Sequence, residues 1–328
     1  MLEYSPNLHA QGPQTRGMTG GRLARYIARR LLLSVVVIWG VVTMTFFIVR
    51  ILPGDPAALA LGVSAEPQAV ESLRHAMGLD RPLPVQYAYF LRDAVKGNFG
   101  RSVYLSRPST KLFLDKLPAT MELAILAMLL SVIVAFPLGI RAALKANSLQ
   151  DGAISVFTLV AQSMPNFWIG IMLILLFSQT LHLLPTFGRG TWQQMVLPVV
   201  TLAFPMMAVV VRLVRNGMLD TLHEDYVRTA RAKGLRELSV ISRHVIKNMM
   251  IPVITVLGLQ FGSLLGGAVV VETVFAWPGV GQLTVDAIMR RDYPVVAASV
   301  FFISIMFVLV NLLVDMTYAY LNPRIRYS

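Results

Sequence analysis

The sequence contains no cysteine, which excludes a disulfide framework, a cysteine-based metal centre and a thiol redox site. Charge is scarce too. Only 14% of residues are Asp, Glu, Lys or Arg, where soluble domains carry about 25%. Acidic residues are the scarcer sign, 17 against 29 basic, for a net charge of +12. No G-x-x-x-x-G-K-[ST] motif occurs, nor any Gly-Lys pair, so the chain has no P-loop to cradle ATP phosphates. The five histidines are scattered, with no His-Glu-x-x-His, and no Ser/His/Asp set falls on facing apolar runs, which argues against an intramembrane hydrolase. The halves do not repeat one another, which removes the usual sign of an inverted-repeat carrier.

What is present is apolar. Over 328 residues 55% are hydrophobic and the mean hydropathy is +0.64, the composition of a membrane protein. The basic excess lies beside the apolar runs, so lipid headgroups rather than nucleic acid are its expected partner. Six runs read as spans, near 31–52, 120–141, 154–181, 196–212, 249–271 and 295–318. The uncharged stretch Leu31–Val49 is about 28 Å of helix, long enough to cross and too long for a signal-peptide core. A charge at the centre of a span costs about 2.5–3.5 kcal/mol. Here Glu122, Arg212 and Asp315 sit at run ends. The expected fold class is therefore an all-α polytopic membrane protein with six transmembrane helices. Residues 1–21 read as a disordered tail. Residues 53–117 form an external segment with short helices near Glu66–Met77 and Gln86–Val95, held to the membrane face by Tyr87, Tyr89, Phe90, Phe99 and Tyr104.

Lys and Arg set the sidedness. Arg22–Arg30, Arg141 with Lys145, the eight basic residues from Arg212 to Lys247, and Arg324 with Arg326 fall on one face. That face, with both termini, is expected in the cytoplasm. It includes the loop 213–248. Within the loop, Asp225–Pro252 reads as two short helices broken at Gly234, which can adopt positive φ. The second, Arg236–Met250, has a ragged apolar stripe at Val240, Ile241, Val245 and Ile246. An ordinary basic loop and a docking element both fit this pattern.

Three intramembrane features stand out. Gly258, Gly262 and Gly266 make a flat strip for close helix approach, within one subunit or on a partner. Gln162, Ser163 and Asn166 cluster around Pro165, and Gln260 lies on the fifth span. Polar groups at this depth line a pathway or bond neighbouring helices. After the fifth span come Glu272, Trp277 and Pro278. Trp277 suits a membrane interface and Pro278-Gly279 forces a turn, so this stretch is either a re-entrant outer gate or a plain turn.

The residues Arg228-Thr229-Ala230-Arg231-Ala232-Lys233-Gly234 resemble the cytoplasmic EAA loop of ABC-importer permeases of the dipeptide/oligopeptide/nickel group. Arg228 stands where that pattern has Glu, Thr229 where it has its first Ala, and Lys247 where it has a helix-breaking Pro. Arg50 to Pro56, Ser163 to Trp168, Glu272 to Gly281 and Asn311 to Arg324 resemble the same family in the same order, covering most of 22–328. The resemblance implies a type I ABC importer permease in a bacterial inner membrane, forming half of a peptide pathway. It implies a sister permease as heterodimer partner, two ABC ATPase subunits that carry ATP and Mg, and an extracytoplasmic solute-binding protein. No cofactor and no enzymatic activity are expected on this chain. An ATPase-coupling role is implied for Asp225, Tyr226, Arg228, Thr229, Ala230, Arg231, Lys233, Gly234 and His244, with Arg228, Arg231 and Lys233 facing acidic groups on the ATPase. A stand-alone channel or ion-coupled carrier is the alternative class.

Overall fold

The computed structural model describes residues 20–51, 56–61, 66–76 and 78–321. The expected tail lies almost wholly outside them, as do Leu52, Pro53, Gly54 and Asp55 of the first helix stop, and the C-terminal Asn322, Pro323 and Arg324. Helix α1 (Gly20–Ile51) carries the first span. Three short helices, α2 (Pro56–Leu61), α3 (Pro67–Ala76) and α4 (Leu83–Val95), belong to the segment 53–117. Helix α4 starts beside Pro82 and Pro84, whose missing N–H groups cost nothing in a first turn. Three aromatics fasten this segment: Tyr87 and Phe90 lie 5.2 and 5.5 Å from the Phe46 ring, and Phe99 lies 4.9 Å from Phe301. Tyr89 does not, and Tyr104 does so only through a cation–π contact with Arg290. Both are exposed and each receives a guanidinium, Tyr89 from Arg81 and Arg92 at 4.8 Å, Tyr104 from Arg290 at 5.7 Å. Buried Asp292 adds a polar clasp, accepting hydrogen bonds from Ser102 Oγ at 2.5 Å and Val103 N at 3.3 Å.

The bundle follows. Its elements are α5 (Ser109–Leu144), α6 (Leu149–Ser163), α7 (Asn166–Leu173) extended by a π-helical turn (Ile174–Thr180), and α8 (Trp192–Leu222). Then come α9 (Asp225–Ala232), α10 (Glu237–Val240), a second π-helical turn (Ile241–Ile246), α11 (Lys247–Val274), α12 (Val280–Met289) and α13 (Tyr293–Leu321). Among the described residues α1, α5, α8 and α13 are long and apolar enough to cross a membrane unaided. The number reaches six when two bent pairs each count as one span: α6 with α7 and its π turn, bent by 103°, and Glu237–Met250 with Pro252–Gly266, bent by 48°. The run expected as one span over 154–181 is therefore two rods meeting at Met164-Pro165. Pro165 has no N–H for the ladder and sits at ψ 142°, outside the helix.

Packing is closest where side chains vanish. A Cβ on Gly139 of α5 would lie 2.8 Å from Val214 of α8, and Ser131 Oγ donates to the Ala203 carbonyl at 3.0 Å across the same pair. On α11, Gly258 and Gly262 face Val314 and Phe307 of α13, while Gly266 faces open space. Two of the three glycines thus serve packing inside this subunit. One apolar core joins the loop-end halves of α5, α8 and α11 to Val227, Val240 and Val245. A second lies at the opposite end, around Leu123, Leu202, Val271, Phe275 and Trp277.

Candidate functional site

The loop is built from the core outwards. Val227 and Ala230, spaced i and i+3, put a narrow face of α9 into the loop-end core. Everything else on α9 points away: Asp225, Tyr226, Arg228, Thr229 and Arg231 are exposed, with Lys233 beyond its end. Thr229 Oγ1 donates to the Asp225 carbonyl at 2.9 Å, and Tyr226 Oη accepts from Asn248 Nδ2 at 3.1 Å, tying α9 to α11. Gly234 sits at φ 74°, and a methyl group placed on its Cα would meet nothing within 4 Å, so its conformation rather than crowding demands glycine. His244 is half-buried in the second π turn, its carbonyl accepting from Asn248 Nδ2 at 2.8 Å.

One expectation changes here. Arg231 does not point a free charge outwards. It pairs with Glu237 at 2.6 and 3.2 Å, bridging α9 to α10 over the Gly234 turn. The pair holds the Glu237 carboxyl below its ordinary value of 4.5 and raises the Arg231 guanidinium above its own. The second helix, expected over Arg236–Met250, is α10, the π turn and the start of α11 in one rod, which ends at the 48° bend before Pro252. That turn explains the ragged stripe. Val240 and Val245, and Ile241 and Ile246, lie five apart, which the wider i→i+5 winding brings towards one face. Val240 and Val245 are fully buried there.

One part of the exposed surface has no charge pattern to announce it. Leu238 is 82% exposed and Leu235 stands out beside it. The two bare apolar residues, three apart in a polar loop, make a candidate contact surface. Its trace in the sequence is slight: Leu235 and Leu238 fall outside the Val240-to-Ile246 stripe.

The intramembrane polar set is not one cluster. Gln162 and Ser163 are exposed at the end of α6, and Asn166 is half-buried at the start of α7. Ser163 Oγ bonds back to Leu159 O at 2.8 Å, and Gln162 Oε1 accepts from Arg212 of α8. Gln260, half-buried on α11, makes no hydrogen bond to the other three among the described residues. The pairing of Asp151 with Arg215 lies outside the expectations drawn from the sequence. Its two bonds, 2.6 and 2.8 Å, join α6 to α8, and Asn147 N donates to the same carboxylate at 2.9 Å. The Ser148-x-x-Asp151 spacing, a helix-start signature, is its legible trace.

The turn after α11 is a clasp. Glu272 and Trp277 are both 0% exposed, so both side chains face protein. Glu272 Oε1 accepts from Thr120 Oγ1 at 2.6 Å and Oε2 from Gln282 N at 3.0 Å, while Thr120 Oγ1 accepts from Val280 N at 2.8 Å. Thus one carboxylate and one hydroxyl satisfy orphan N–H groups in the first turn of α12. Trp277 Nε1 donates to Ala119 O at 2.9 Å. Pro278 is half-buried, and Gly279 and Gly281 leave room for the carboxylate.

These features define a polytopic helical membrane protein of the transport-permease class, with a broken span and an ordered loop rooted in its core. Comparison with known proteins makes the class specific. The family of binding-protein-dependent transport system inner membrane components matches residues 135–327, and the N-terminal component of such systems matches residues 23–124. Glutathione transport system permease protein GsiC of Pectobacterium atrosepticum and that of Escherichia coli K12 are each 43% identical over 306 residues, covering 93% of this chain and 100% of the relative. The MetNI methionine ABC transporter in its inward-facing form shares the fold, with a TM-score of 0.55 at 14% identity over 64% of this chain and 96% of that one. The chain belongs to the family of binding-protein-dependent transport system inner membrane components. It is a permease subunit of an ABC importer, and ATP hydrolysis resides on partner subunits. A partner permease, an ATPase and a binding protein complete such a system, and the stand-alone carrier is not favoured.

Proposed function

We propose that this chain forms half of the pathway of an ATP-driven importer of peptide-class cargo and receives motion from the ATPase through the surface of α9, Gly234 and α10. The observation that carries the reading is the two-faced loop. Val227, Ala230, Val240 and Val245 root it in the bundle core, while Tyr226, Arg228, Lys233, Leu235 and Leu238 stand clear of it. A rigid element with one face anchored and one free can pass a push into the spans. That is what coupling between two sites requires.

The finer assignments belong to the same proposal. The loop face and both termini lie in the cytoplasm, as the Lys and Arg bias implies. The permease pairs with a non-identical sister, two ATPase subunits bind ATP and Mg, and this chain holds no cofactor. Arg228 and Lys233 meet acidic groups on the ATPase, whereas Arg231 keeps the joint stiff. Gln162, Ser163, Asn166 and Gln260 line the pathway, on the ground that a span broken at Pro165 is tolerated at membrane depth only beside protein or water. The stretch with Glu272, Trp277 and Pro278 works as a rigid outer rim. Glutathione, the cargo in the relatives' name, is the first peptide to try.

The test is ATP-driven uptake of glutathione and of short peptides by the complete complex in proteoliposomes. The charge reversal R228E/K233E should abolish uptake while leaving the protein in the membrane. Wild-type uptake in that variant would remove the docking role.

A further inference from the structure

We propose that a cavity between α6 and α8 holds the headgroup of one anionic phospholipid, with Arg212 as its phosphate-binding residue. The cavity has a volume of about 320 Å³ and is lined by Ser155, Val156, Leu159, Arg212, Arg215 and Asn216, among others. Its two guanidinium groups are not equivalent. Arg215 is neutralised by Asp151. Arg212 meets only the neutral amide of Gln162, and among the described residues no carboxylate pairs with it. One positive charge is therefore left uncompensated in a mostly apolar hollow. A guanidinium in such a place recognises an oxyanion through paired N–H donors.

Depth selects the lipid over other oxyanions. Exposed Trp192 opens α8 at the far end, where tryptophan anchors a span at the interface. Arg212 follows twenty residues on, about 30 Å along the helix, which is one hydrocarbon thickness. The guanidinium thus sits at the opposite headgroup level. Gly139 packs on Val214 at that depth, and Arg141 lies just beyond it, so the level is basic on α5 as well. Between the Asp151–Arg215 and Gln162–Arg212 contacts the wall is aliphatic, with Val156 and Leu159 62% and 63% exposed on α6. A bare guanidinium at headgroup level beside an exposed apolar strip matches a phospholipid. A small soluble anion would use only the guanidinium. Basic pockets between spans at headgroup depth are the known setting for such lipids.

The test is native mass spectrometry of the complete complex, purified in mild detergent and offered equal amounts of phosphatidylglycerol and phosphatidylcholine. Wild type should retain phosphatidylglycerol in preference. R212Q should retain about fivefold less of it, the share of one basic contact near a membrane surface, with phosphatidylcholine unchanged. R212K should keep most of the preference. V156W, which fills the hollow and leaves the charge, should lose it, and decides the matter alone if R212Q fails to assemble. Unchanged phosphatidylglycerol retention in R212Q or V156W overturns the proposal. So does displacement of the lipid by millimolar inorganic phosphate, or an R212Q variant that keeps its lipid and loses only uptake, since the cavity would then serve cargo.

Discussion

Gly234 is the residue on which the loop turns. Its φ of 74° lies where an L-residue pays about 1–2 kcal/mol. G234A should therefore slacken the joint, and G234P, locked near −65°, should break it. Binding-protein-stimulated ATPase activity measured beside uptake checks this: hydrolysis should persist in G234P while uptake fails. Equal, wild-type values of both would remove the residue from the mechanism. The neighbouring ion pair makes a second, separable prediction. Arg231 depresses the Glu237 pKa, so the pair's contribution is complete above the ordinary value of 4.5 and fades only as pH falls through the lower folded value. At neutral pH the joint should be insensitive to pH, while E237Q removes at any pH what acid removes only below that range. Both side chains are substantially exposed, so the stability change should be modest, about 0.2–1 kcal/mol. The swap R231E/E237R should recover uptake lost in R231E. A double variant no better than the single one would mean that Arg231 is needed by the ATPase instead.

At the scale of elements, the clasp around Glu272 and the glycine seams decide which helices keep their places. A Cβ on Gly281 would lie 2.5 Å from Val269 Cα, backbone that cannot swing aside, so G281A should destabilise the protein by about 1–3 kcal/mol. E272A strands buried N–H groups at the start of α12 and should cost a similar amount. The strip on α11 offers an internal control. A Cβ on Gly258 would collide with Val314 Cγ2, whereas one on Gly266 meets nothing. G258A should lower the melting temperature in detergent and G266A should leave it unchanged; the reverse order would mean that α11 and α13 pack otherwise. These elements also mark the limit of the sequence reading. The apolar runs announced their helices because hydrophobic length is a local property. The burial of Trp277 was not legible, since Ala119 lies 158 residues earlier in the chain. The 103° bend was legible as a proline and not as an angle. The Arg231–Glu237 pair lay within reach, six residues apart, but it bridges a turn whose direction depends on Gly234.

At the scale of the whole molecule, the two larger buried cores among the described residues lie at opposite ends of the bundle, and the loop belongs to only one of them. A push on α9 reaches Val214, Met218 and Met249 before it reaches anything at the far end. The motif pattern around Gly234 marked the loop as a candidate coupling element in the sequence, whereas Leu238 became a candidate contact only when its exposure was known. That residue, in a chain free of natural cysteines, gives the most direct measurement: L238C in the complete complex, treated with a short bifunctional crosslinker in the presence and absence of ATP. If the loop docks on the motor, L238C forms a covalent adduct with an ATPase subunit, in a yield that changes with nucleotide. An adduct with the binding protein, or labelling of the cysteine by an impermeant reagent added outside intact cells, would contradict that docking.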